Sequence, residues 1–228
     1  MGGLYPRSWF DKLTMSGDFS HTRLARVGIL GGTFDPVHLG HLLVAESARE
    51  SLGLERVLLM PAGQPWLKAH RALTPGHHRL RMVELAVADN PSFQAARHEV
   101  DRPGPTYAVD TLEELRGELG PHVSLHFILG QDALSEFHRW KSPERVLELC
   151  RLAVVHRPGI ESPEWPEIFT RFSLPAGQVT LLTAPQVDIS GTDIRRRVAE
   201  GRSIRYLVPN AVAGYIREHG LYRDAATE

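Results

Sequence analysis

The chain has 228 residues, enough for one large domain with a substantial core rather than two small ones. Its 26 lysines and arginines nearly balance 27 aspartates and glutamates, which disfavours nucleic acid as the main partner and favours a small-molecule substrate. A single cysteine, Cys150, excludes an intramolecular disulfide framework, and no apolar run approaches the roughly 18 residues of a membrane span. We therefore expect a cytoplasmic protein that does not bind membranes.

The first 24 residues mix glycine, proline, tryptophan and charged residues without a period, and they lack the apolar segment of a signal peptide. We expect residues 1–24 to form a flexible N-terminal extension. One domain is expected over residues 25–223, followed by a C-terminal tail over residues 224–228. No internal repeat divides the domain.

Apolar runs typical of buried strands alternate along the domain with segments of helical periodicity. One helical segment follows the first strand and ends at Gly53, and a second is capped and started by Thr74-Pro75. A third carries the apolar stripe Val109, Leu112, Leu115 and Leu119. The alternation predicts an α/β fold with a doubly wound, mainly parallel sheet and helices on both faces. The predicted strands are Val27–Leu30, Val57–Met60, Phe93–Val100, Leu125–Leu129, Leu152–Val155 and Val179–Leu182.

The most informative segment joins the first strand to the first helix. Gly31 and Gly32 leave no Cβ where the chain leaves the sheet, so a ligand can approach the backbone there. His38 and His41 are three residues apart, which puts both rings on one face of a first helical turn, and Gly40 removes a side chain between them. The free N–H groups and the positive dipole end of such a helix favour an anion. The segment therefore predicts a phosphate site for a nucleotide.

A simple strand–helix corner, whose histidines only cap backbone groups, is the alternative interpretation. The double glycine and Asp35-Pro36 at fixed offsets favour the phosphate site. Other motifs are excluded by spacing, because the chain lacks a G-x-G-x-x-G dinucleotide motif, a G-x-x-x-x-G-K-[ST] loop and an H-E-x-x-H zinc motif. A metal site at His38 and His41 lacks a third ligand nearby, so no protein-bound metal is expected.

A second candidate phosphate site lies near the C-terminus. Ser190 and Asp193 form the capping pattern [ST]-x-x-[DE], which predicts the start of a helix. Such a pattern alone is typical of structure rather than function. Arg195 favours a functional interpretation, because a cation near a helix N-terminus is disfavoured unless an anion is present. Arg196 and Arg197 are explained as solvated side chains.

These two segments together resemble the paired signatures of the H-x-G-H nucleotidyltransferase superfamily. The first is Gly31-Gly32-Thr33-Phe34-Asp35-Pro36 with His38-x-Gly40-His41, and the second is Ile189-Ser190-x-Thr192-x-Ile194-Arg195. Within the superfamily, the chain is similar to the bacterial nicotinate-nucleotide adenylyltransferase family over residues 25–223. The transfer RNA synthetases of the superfamily carry a K-M-S-K-S loop, which this chain lacks. Further matching segments are Met60-Pro61-Ala62-Gly63, Pro105-Thr106-Tyr107-Ala108-Val109-Asp110-Thr111-Leu112, Phe127-Ile128-Leu129-Gly130-Gln131-Asp132, Trp140-Lys141, Arg157-Pro158-Gly159 and Gly220-Leu221-Tyr222.

The resemblance implies a Rossmann-like nucleotidyltransferase fold and the transfer of AMP from ATP to nicotinate mononucleotide, on the route to NAD. The products would be nicotinate adenine dinucleotide and pyrophosphate. The attacking atom would be a phosphate oxygen of the substrate, already ionised at neutral pH, so the reaction requires alignment and charge stabilisation but no protein base. Magnesium is expected as a cofactor held mainly by the ATP phosphates.

The resemblance also implies roles for individual residues. The expected catalytic residues, which contact the ATP phosphates, are His38, His41, Lys68 and Arg195. The expected ATP-binding residues are Gly31, Gly32, Thr33, Phe34, His38, His41, Gly130, Asp132, Ser190, Thr192 and Arg195. The expected residues for nicotinate mononucleotide are Thr106, Tyr107, Ala108, Trp140 and Lys141. Asp132 is expected to accept from ribose hydroxyls, and Asp35 to brace its turn rather than to ligate metal.

The pyridine end of the expected site depends on two features. An indole face stacks on a flat electron-poor ring, so Trp140 is the expected partner of the pyridine, with a half-buried core tryptophan as the alternative. Thr106, Tyr107 and Ala108 come at a predicted helix start, where backbone N–H groups can bind a carboxylate. By analogy with the family, a site with donors only favours nicotinate over nicotinamide.

The sequence departs from the family pattern at Pro65-Trp66-Leu67-Lys68, where many members have Pro-Pro-His before the basic residue. A histidine near the substrate phosphate is therefore missing, and His70 or Arg71 is a candidate replacement. Ala108 stands where threonine is frequent, which matters little if only its backbone N–H is used.

Two other functions stay open at this point. One is another transferase of the superfamily, such as a phosphopantetheine adenylyltransferase or a cytidylyltransferase. These are typically shorter and would need neither Trp140 nor the segment Pro105-Thr106-Tyr107. The other is a nucleotide-sensing binding module without catalysis. The sequence also leaves a homo-oligomer open.

Overall fold

The computed structural model describes residues 25–65, 73–156 and 177–223. Six of its strands form one sheet in the order β4-β2-β1-β6-β7-β8, and every neighbouring pair is parallel. β3 and β5 form a separate two-stranded parallel sheet. The predicted α/β fold with a doubly wound parallel sheet is confirmed. The strands are β1 (Ala25–Gly32), β2 (Arg56–Pro61), β3 (Gln64–Pro65), β4 (Phe93–Ala95), β5 (Pro105–Thr106), β6 (Val123–Gly130), β7 (Arg151–His156) and β8 (Val179–Thr183).

Helices cover both faces of the large sheet. β1 shows why, because alternate side chains point to opposite faces of a strand: Leu30 belongs to one core, whereas Val27 and Ile29 belong to the other. The first core packs against α1, α2, α7 and α8, and the second packs against α4, α5 and α6. The helices are α1 (Leu39–Leu52), α2 (Gly76–Val87), α3 (His98–Asp101), α4 (Ala108–Leu119), α5 (Gln131–Ser135), α6 (Pro143–Leu149), α7 (Gly191–Ala199) and α8 (Asn210–Glu218), with a short 3₁₀ turn at Phe137–Arg139.

Two predicted boundaries were wrong. The predicted strand Phe93–Val100 ends at Ala95, because β4 is an edge strand that pairs only with Val57–Leu59 of β2 before the chain turns into α3. The helix predicted to start at Pro75 starts at Gly76, with Pro75 in the N-cap position. By contrast, α1 ends at Gly53 as predicted, and the left-handed backbone of this glycine (φ 59°) suits a helix C-cap.

Several predictions lie outside the described residues. They are the N-terminal extension, the C-terminal tail, Lys68, His70, Arg71 and Arg157-Pro158-Gly159. Within the described ranges, no helix is both long and apolar enough to span a bilayer.

Candidate active site

The strand order of the large sheet reverses between β1 and β6. From β1 the chain adds β2 and β4 on one side, and it then crosses over to add β6, β7 and β8 on the other side. In open parallel sheets, ligands bind outside the carboxyl ends of the strands at this point. The carboxyl ends here are Gly32 and Gly130. Two cavities open at this edge, a wider one of about 390 Å³ and a narrower one of about 260 Å³, and both are lined by Gly32, Thr33 and His41.

The two histidines lie at the N-terminus of α1 in the narrower cavity. His38 is the N-cap residue, and its ring stacks on that of His41 with 3.7 Å between the ring centroids. The backbone N–H of His38 donates to His41 Nδ1 at 3.2 Å. Because Nδ1 accepts, the neutral His41 ring carries its hydrogen on Nε2. Phe34 packs edge-on against the same ring at 4.8 Å.

His38 is almost completely buried, and this determines its charge. The residue is 8% exposed, and burial lowers the pKa of its imidazole from 6.5 to about 4. The ring is therefore neutral at neutral pH. Its Nδ1 atom has no hydrogen-bond partner among the described residues. Such an unpaired buried polar atom costs about 1–3 kcal/mol unless a ligand supplies a partner.

Gly40 lies close to the His38 ring. A Cβ at this position would lie 3.1 Å from His38 Nδ1 and 3.4 Å from a Val187 methyl group. The glycine therefore makes room for the His38 ring itself, in addition to any ligand.

The N-terminus of α7 contacts the histidine corner, although the two segments are far apart in sequence. Arg195 Nη1 donates to the Asp35 carbonyl oxygen at 2.7 Å, and Arg195 Nη2 donates to Thr192 Oγ1 at 3.2 Å. Gly191 permits this approach, because a Cβ there would lie 2.8 Å from the same carbonyl oxygen. Gly191, Thr192 and Arg195 line the narrower cavity with both histidines.

Asp35 braces this corner, as expected. It is 6% exposed, and its two carboxylate oxygens are both used. Oδ1 accepts from the Tyr222 hydroxyl at 2.7 Å, and Oδ2 accepts from the backbone N–H of Thr74 at 3.2 Å. Burial and the neighbouring carboxylate raise the pKa of Tyr222, so this phenol stays protonated and donates. The C-terminal segment is thereby held against the first loop of the domain.

Arg79 holds loops that line the site, and sequence analysis missed it. It is 1% exposed, and burial lowers the pKa of its guanidinium while Asp35 opposes that effect. Its donors reach backbone carbonyl oxygens of three separate segments. The bonds run to Thr33 O (2.8 Å), Ala62 O (2.7 Å), Gly63 O (3.1 Å) and Thr74 O (2.7 Å).

The wider cavity has an aromatic wall. Trp140 is half-buried, and its ring packs against Phe127 and Phe137 with 5.5 and 5.2 Å between the ring centroids. Trp140 also lines the cavity. The tryptophan therefore has both the packing role and the accessible position that the sequence left as alternatives. Tyr107 is the N-cap residue of α4, and Thr106, Tyr107 and Ala108 all line the cavity at that helix N-terminus.

The small sheet positions this helix start. β3 pairs with β5, so that Pro65 lies beside Thr106. A Cβ at Gly63 would lie 2.0 Å from the carbonyl oxygen of Glu99, so only glycine fits between the two loops. Glu99 also lines the cavity, and burial raises the pKa of its carboxyl group while the Thr111 hydroxyl donates to it at 3.0 Å.

Lys141 lies at the rim of the wider cavity, where its charge is largely neutralised. Nζ donates to both carboxylate oxygens of Asp110, at 2.8 and 3.0 Å, and lies 4.7 Å from the centre of the Tyr107 ring. These contacts hold α4 against the segment that carries Trp140.

Three predicted ATP-binding residues, Gly130, Asp132 and Ser190, lie in different surroundings. Ser190 caps α7, because its hydroxyl accepts from the Asp193 N–H at 3.1 Å, and it lines a neighbouring cleft instead of the narrower cavity. Asp132 is exposed in the first turn of α5 and lies outside the described lining of both cavities. Gly130 does line the wider cavity. The predicted contacts of Ser190 with the ATP phosphates and of Asp132 with the ribose hydroxyls stay predictions.

The narrower cavity offers few ligands for a metal ion. Asp35 is the one carboxylate among its described lining residues, and both of its oxygens already accept hydrogen bonds. Among the described residues, three potential metal ligands come together only at His98, Glu114 and Glu118, where the histidine bonds Glu118 and Glu114 pairs with Arg102. The described lining of this cavity therefore supplies no carboxylate oxygen that is free to bind a metal ion.

This sheet order, with an imidazole pair and a cationic helix start at its switch point, defines a nucleotidyltransferase of the Rossmann-like class. The Cytidylyltransferase-like family model matches residues 29–197, and the chain belongs to that family. Several of its curated relatives carry the name "Probable nicotinate-nucleotide adenylyltransferase". A relative from Roseiflexus sp. (strain RS-1) is 49% identical over 87% of this chain and 98% of its own length. One from Thermomicrobium roseum is 50% identical over 88% of this chain and 92% of its own length.

Solved structures share the fold at lower sequence identity. The nicotinic acid mononucleotide adenylyltransferase of Plasmodium falciparum, complexed with NaAD, is 19% identical with a TM-score of 0.70. The same enzyme complexed with APC gives a TM-score of 0.68. In each case the match covers 87% of this chain and 98% of the solved chain. These likenesses establish the Rossmann-like nucleotidyltransferase fold.

Proposed function

We propose that the protein transfers AMP from ATP to nicotinate mononucleotide, forming nicotinate adenine dinucleotide and pyrophosphate in NAD biosynthesis. The observation that carries this proposal is the junction of the two cavities, which share Gly32, Thr33 and His41. A flat ring in the wider, aromatic cavity can thus be joined through phosphates to the imidazole-lined one. The names of the curated relatives support the same reaction.

The wider cavity suits the pyridine nucleotide. Trp140 offers a flat face, and the N-terminus of α4 offers N–H donors and a positive dipole end to the nicotinate carboxylate. An amide NH₂ in that position would face donors, so the arrangement favours nicotinate over nicotinamide.

The narrower cavity suits the reacting phosphates. A phosphate oxygen of nicotinate mononucleotide attacks the α-phosphorus of ATP, and the bond to the β-phosphate breaks so that pyrophosphate leaves with the electron pair. His41, with its hydrogen on Nε2, and neutral His38 act as hydrogen-bond donors to the charge that develops. Arg195 adds a positive charge from α7. No protein group removes a proton, because the attacking oxygen is already ionised.

We further propose that magnesium enters with ATP and is held mainly by its phosphates, where it neutralises charge on the triphosphate. Lys68, which lies outside the described residues, is proposed as a second cation for these phosphates. A cytoplasmic location is part of the proposal, in keeping with the single buried thiol of Cys150.

The decisive experiment incubates the purified protein with ATP, magnesium and nicotinate mononucleotide, and measures dinucleotide and pyrophosphate together. We expect both products in equal amounts, with slower turnover on nicotinamide mononucleotide. His38→Ala should abolish most turnover, whereas His122→Ala, at an exposed position before β6, is the matched control and should retain it.

Two outcomes would contradict the proposal. Product from phosphopantetheine, or from CTP and a phosphorylated alcohol, with none from nicotinate mononucleotide would identify another transferase of the superfamily. Tight ATP binding without pyrophosphate release on any acceptor would identify a binding module.

A further inference from the structure

Another cavity, outside the candidate active site, lies between the C-terminal part of α7 and the helix α8. It has a volume of about 680 Å³ and shares no described lining residue with the two cavities of the candidate active site. Val198, the first residue of its lining, lies seven residues after Gly191 in α7, so this cavity begins about 10 Å along the helix from the end that contacts Asp35. Its size is typical of a pocket for a small organic ligand.

The charge of this cavity is unusual for this protein. Four arginines line it, namely Arg202, Arg205, Arg217 and Arg223, and no acidic residue belongs to its described lining. The whole chain, in contrast, has a formal net charge of −1. We call this cavity with its four arginines the arginine pocket. The positive charge is therefore local and is not a consequence of an overall basic protein.

Arginines elsewhere on the surface are mostly neutralised by carboxylates, as Arg81 is by Glu84 and Arg97 by Asp101. In the arginine pocket, only Arg202 has such a partner among the described residues, the adjacent Glu200 at 3.1 Å. Arg223 donates to the carbonyl oxygen of residue 217 at 3.3 Å. For Arg205 and Arg217, the described residues provide neither a carboxylate nor another side-chain hydrogen bond.

Favourable interaction with helix C-termini explains part of this cluster, because Arg217 lies in the last turn of α8 and Arg202 follows α7. It does not explain Arg205, which lies in the loop between the two helices. Four exposed guanidinium groups around one cavity repel one another unless an anion lies between them. The apolar floor of Val198, Ile204 and Leu221 favours an organic part in that ligand.

We propose that the arginine pocket is a second anion-binding site, which takes a ligand with two or more phosphate groups. Guanidinium groups match phosphate oxygens with paired hydrogen bonds, and four of them supply the charge for a polyphosphate. The site is separate from the one proposed for the ATP phosphates and does not depend on that function.

The test is calorimetric titration of the full-length protein with inorganic tripolyphosphate in magnesium-free buffer. We expect two bound equivalents for the wild-type protein. The double variant Arg205→Gln/Arg217→Gln should lose one equivalent, with affinity weakened at least tenfold, and Arg195→Gln should lose the other. The matched control Arg81→Gln/Arg97→Gln removes the same charge from exposed positions and should retain both.

All substituted pocket residues are exposed, so the variants are expected to keep the wild-type melting temperature. Equal binding by the pocket double variant and the wild type would overturn the proposal. A single wild-type equivalent that disappears in Arg195→Gln would also overturn it. If the wild-type protein binds a single equivalent of tripolyphosphate and only the pocket variant loses it, the result supports the arginine pocket as an anion site and contradicts the proposed site for the ATP phosphates. A second titration with ADP distinguishes a nucleotide from free polyphosphate as the ligand.

Discussion

Replacing Arg79 tests whether one buried guanidinium holds the loops of the active site in place. Arg79→Met keeps a flexible, mostly apolar side chain but removes the guanidinium, so the carbonyl oxygens of Thr33, Ala62, Gly63 and Thr74 lose their donor. Hydrogen bonds to charged groups contribute about 1.5–3 kcal/mol each, and they are not additive within one network. We therefore expect a loss of about 4 kcal/mol in the free energy of unfolding, a large part of the roughly 5–15 kcal/mol of an average domain.

Urea unfolding followed by circular dichroism measures this loss. Arg79→Lys retains the charge but not the planar arrangement of donors, so its loss should be intermediate, and its KM for ATP should rise because Thr33 is no longer fixed. Arg81→Met, on the exposed face of the same helix, is the control and should change stability by less than about 0.5 kcal/mol. If Arg79→Met is as stable as this control, the hydrogen bonds of Arg79 to the four carbonyl oxygens do not hold the loops, and the reasoning is refuted.

Four further outcomes follow from the site and the sheet. His41→Ala should lower kcat about 100-fold, the scale for losing one transition-state donor, in a pyrophosphate-release assay, and an unchanged kcat would exclude that role. Trp140→Ala should raise KM for nicotinate mononucleotide and leave that for ATP near normal; equal rises would indicate misfolding. Gly191→Ala should raise KM for ATP several-fold, because its Cβ would press on the Asp35 carbonyl oxygen at 2.8 Å, and an unaffected KM would show that α7 adjusts. Burial lowers the pKa of His126 to about 4 in the folded protein, against 6.5 in the unfolded chain. Between pH 7 and pH 5 the unfolded chain therefore binds a proton at this residue that the folded protein does not, and the free energy of unfolding falls by about 2 kcal/mol. His126→Gln should remove that component in chemical denaturation at both pH values, and an identical pH dependence in the variant would contradict it.

The features that the sequence predicted correctly are local in the chain. The double glycine, the histidine spacing and the Ser190 cap each depend on residues within one turn of a helix or one strand end. The strand runs predicted the sheet because buried parallel strands are apolar along their whole length. The one strand that was predicted too long, Phe93–Val100, lies at the sheet edge, where partner length and not composition decides the boundary.

The features that the sequence did not reveal arise from long-range contacts. In the sequence, Arg79 is indistinguishable from the other charged residues of a surface helix. Only the tertiary structure shows that it is fully buried. The hydrogen bond between Tyr222 and Asp35 joins positions 187 residues apart. Gly63 was matched only as part of a family motif, whereas its need for glycine comes from the Glu99 carbonyl oxygen on another loop. No local periodicity encodes such contacts, so the sequence indicated which segments meet at the site but not which side chains hold them together.

The two interpretations of the histidine corner, a backbone cap and a phosphate site, are compatible because an imidazole has two nitrogen atoms. His41 does cap the backbone, since its Nδ1 accepts from the N–H of His38. That bond fixes the tautomer and places the hydrogen of the neutral ring on Nε2. An ionised aspartate can accept the same bond from a backbone N–H but has no hydrogen of its own to donate. The capping bond therefore leaves the Nε2–H of His41 as a donor, which suits the contact with phosphate that we propose for this side chain.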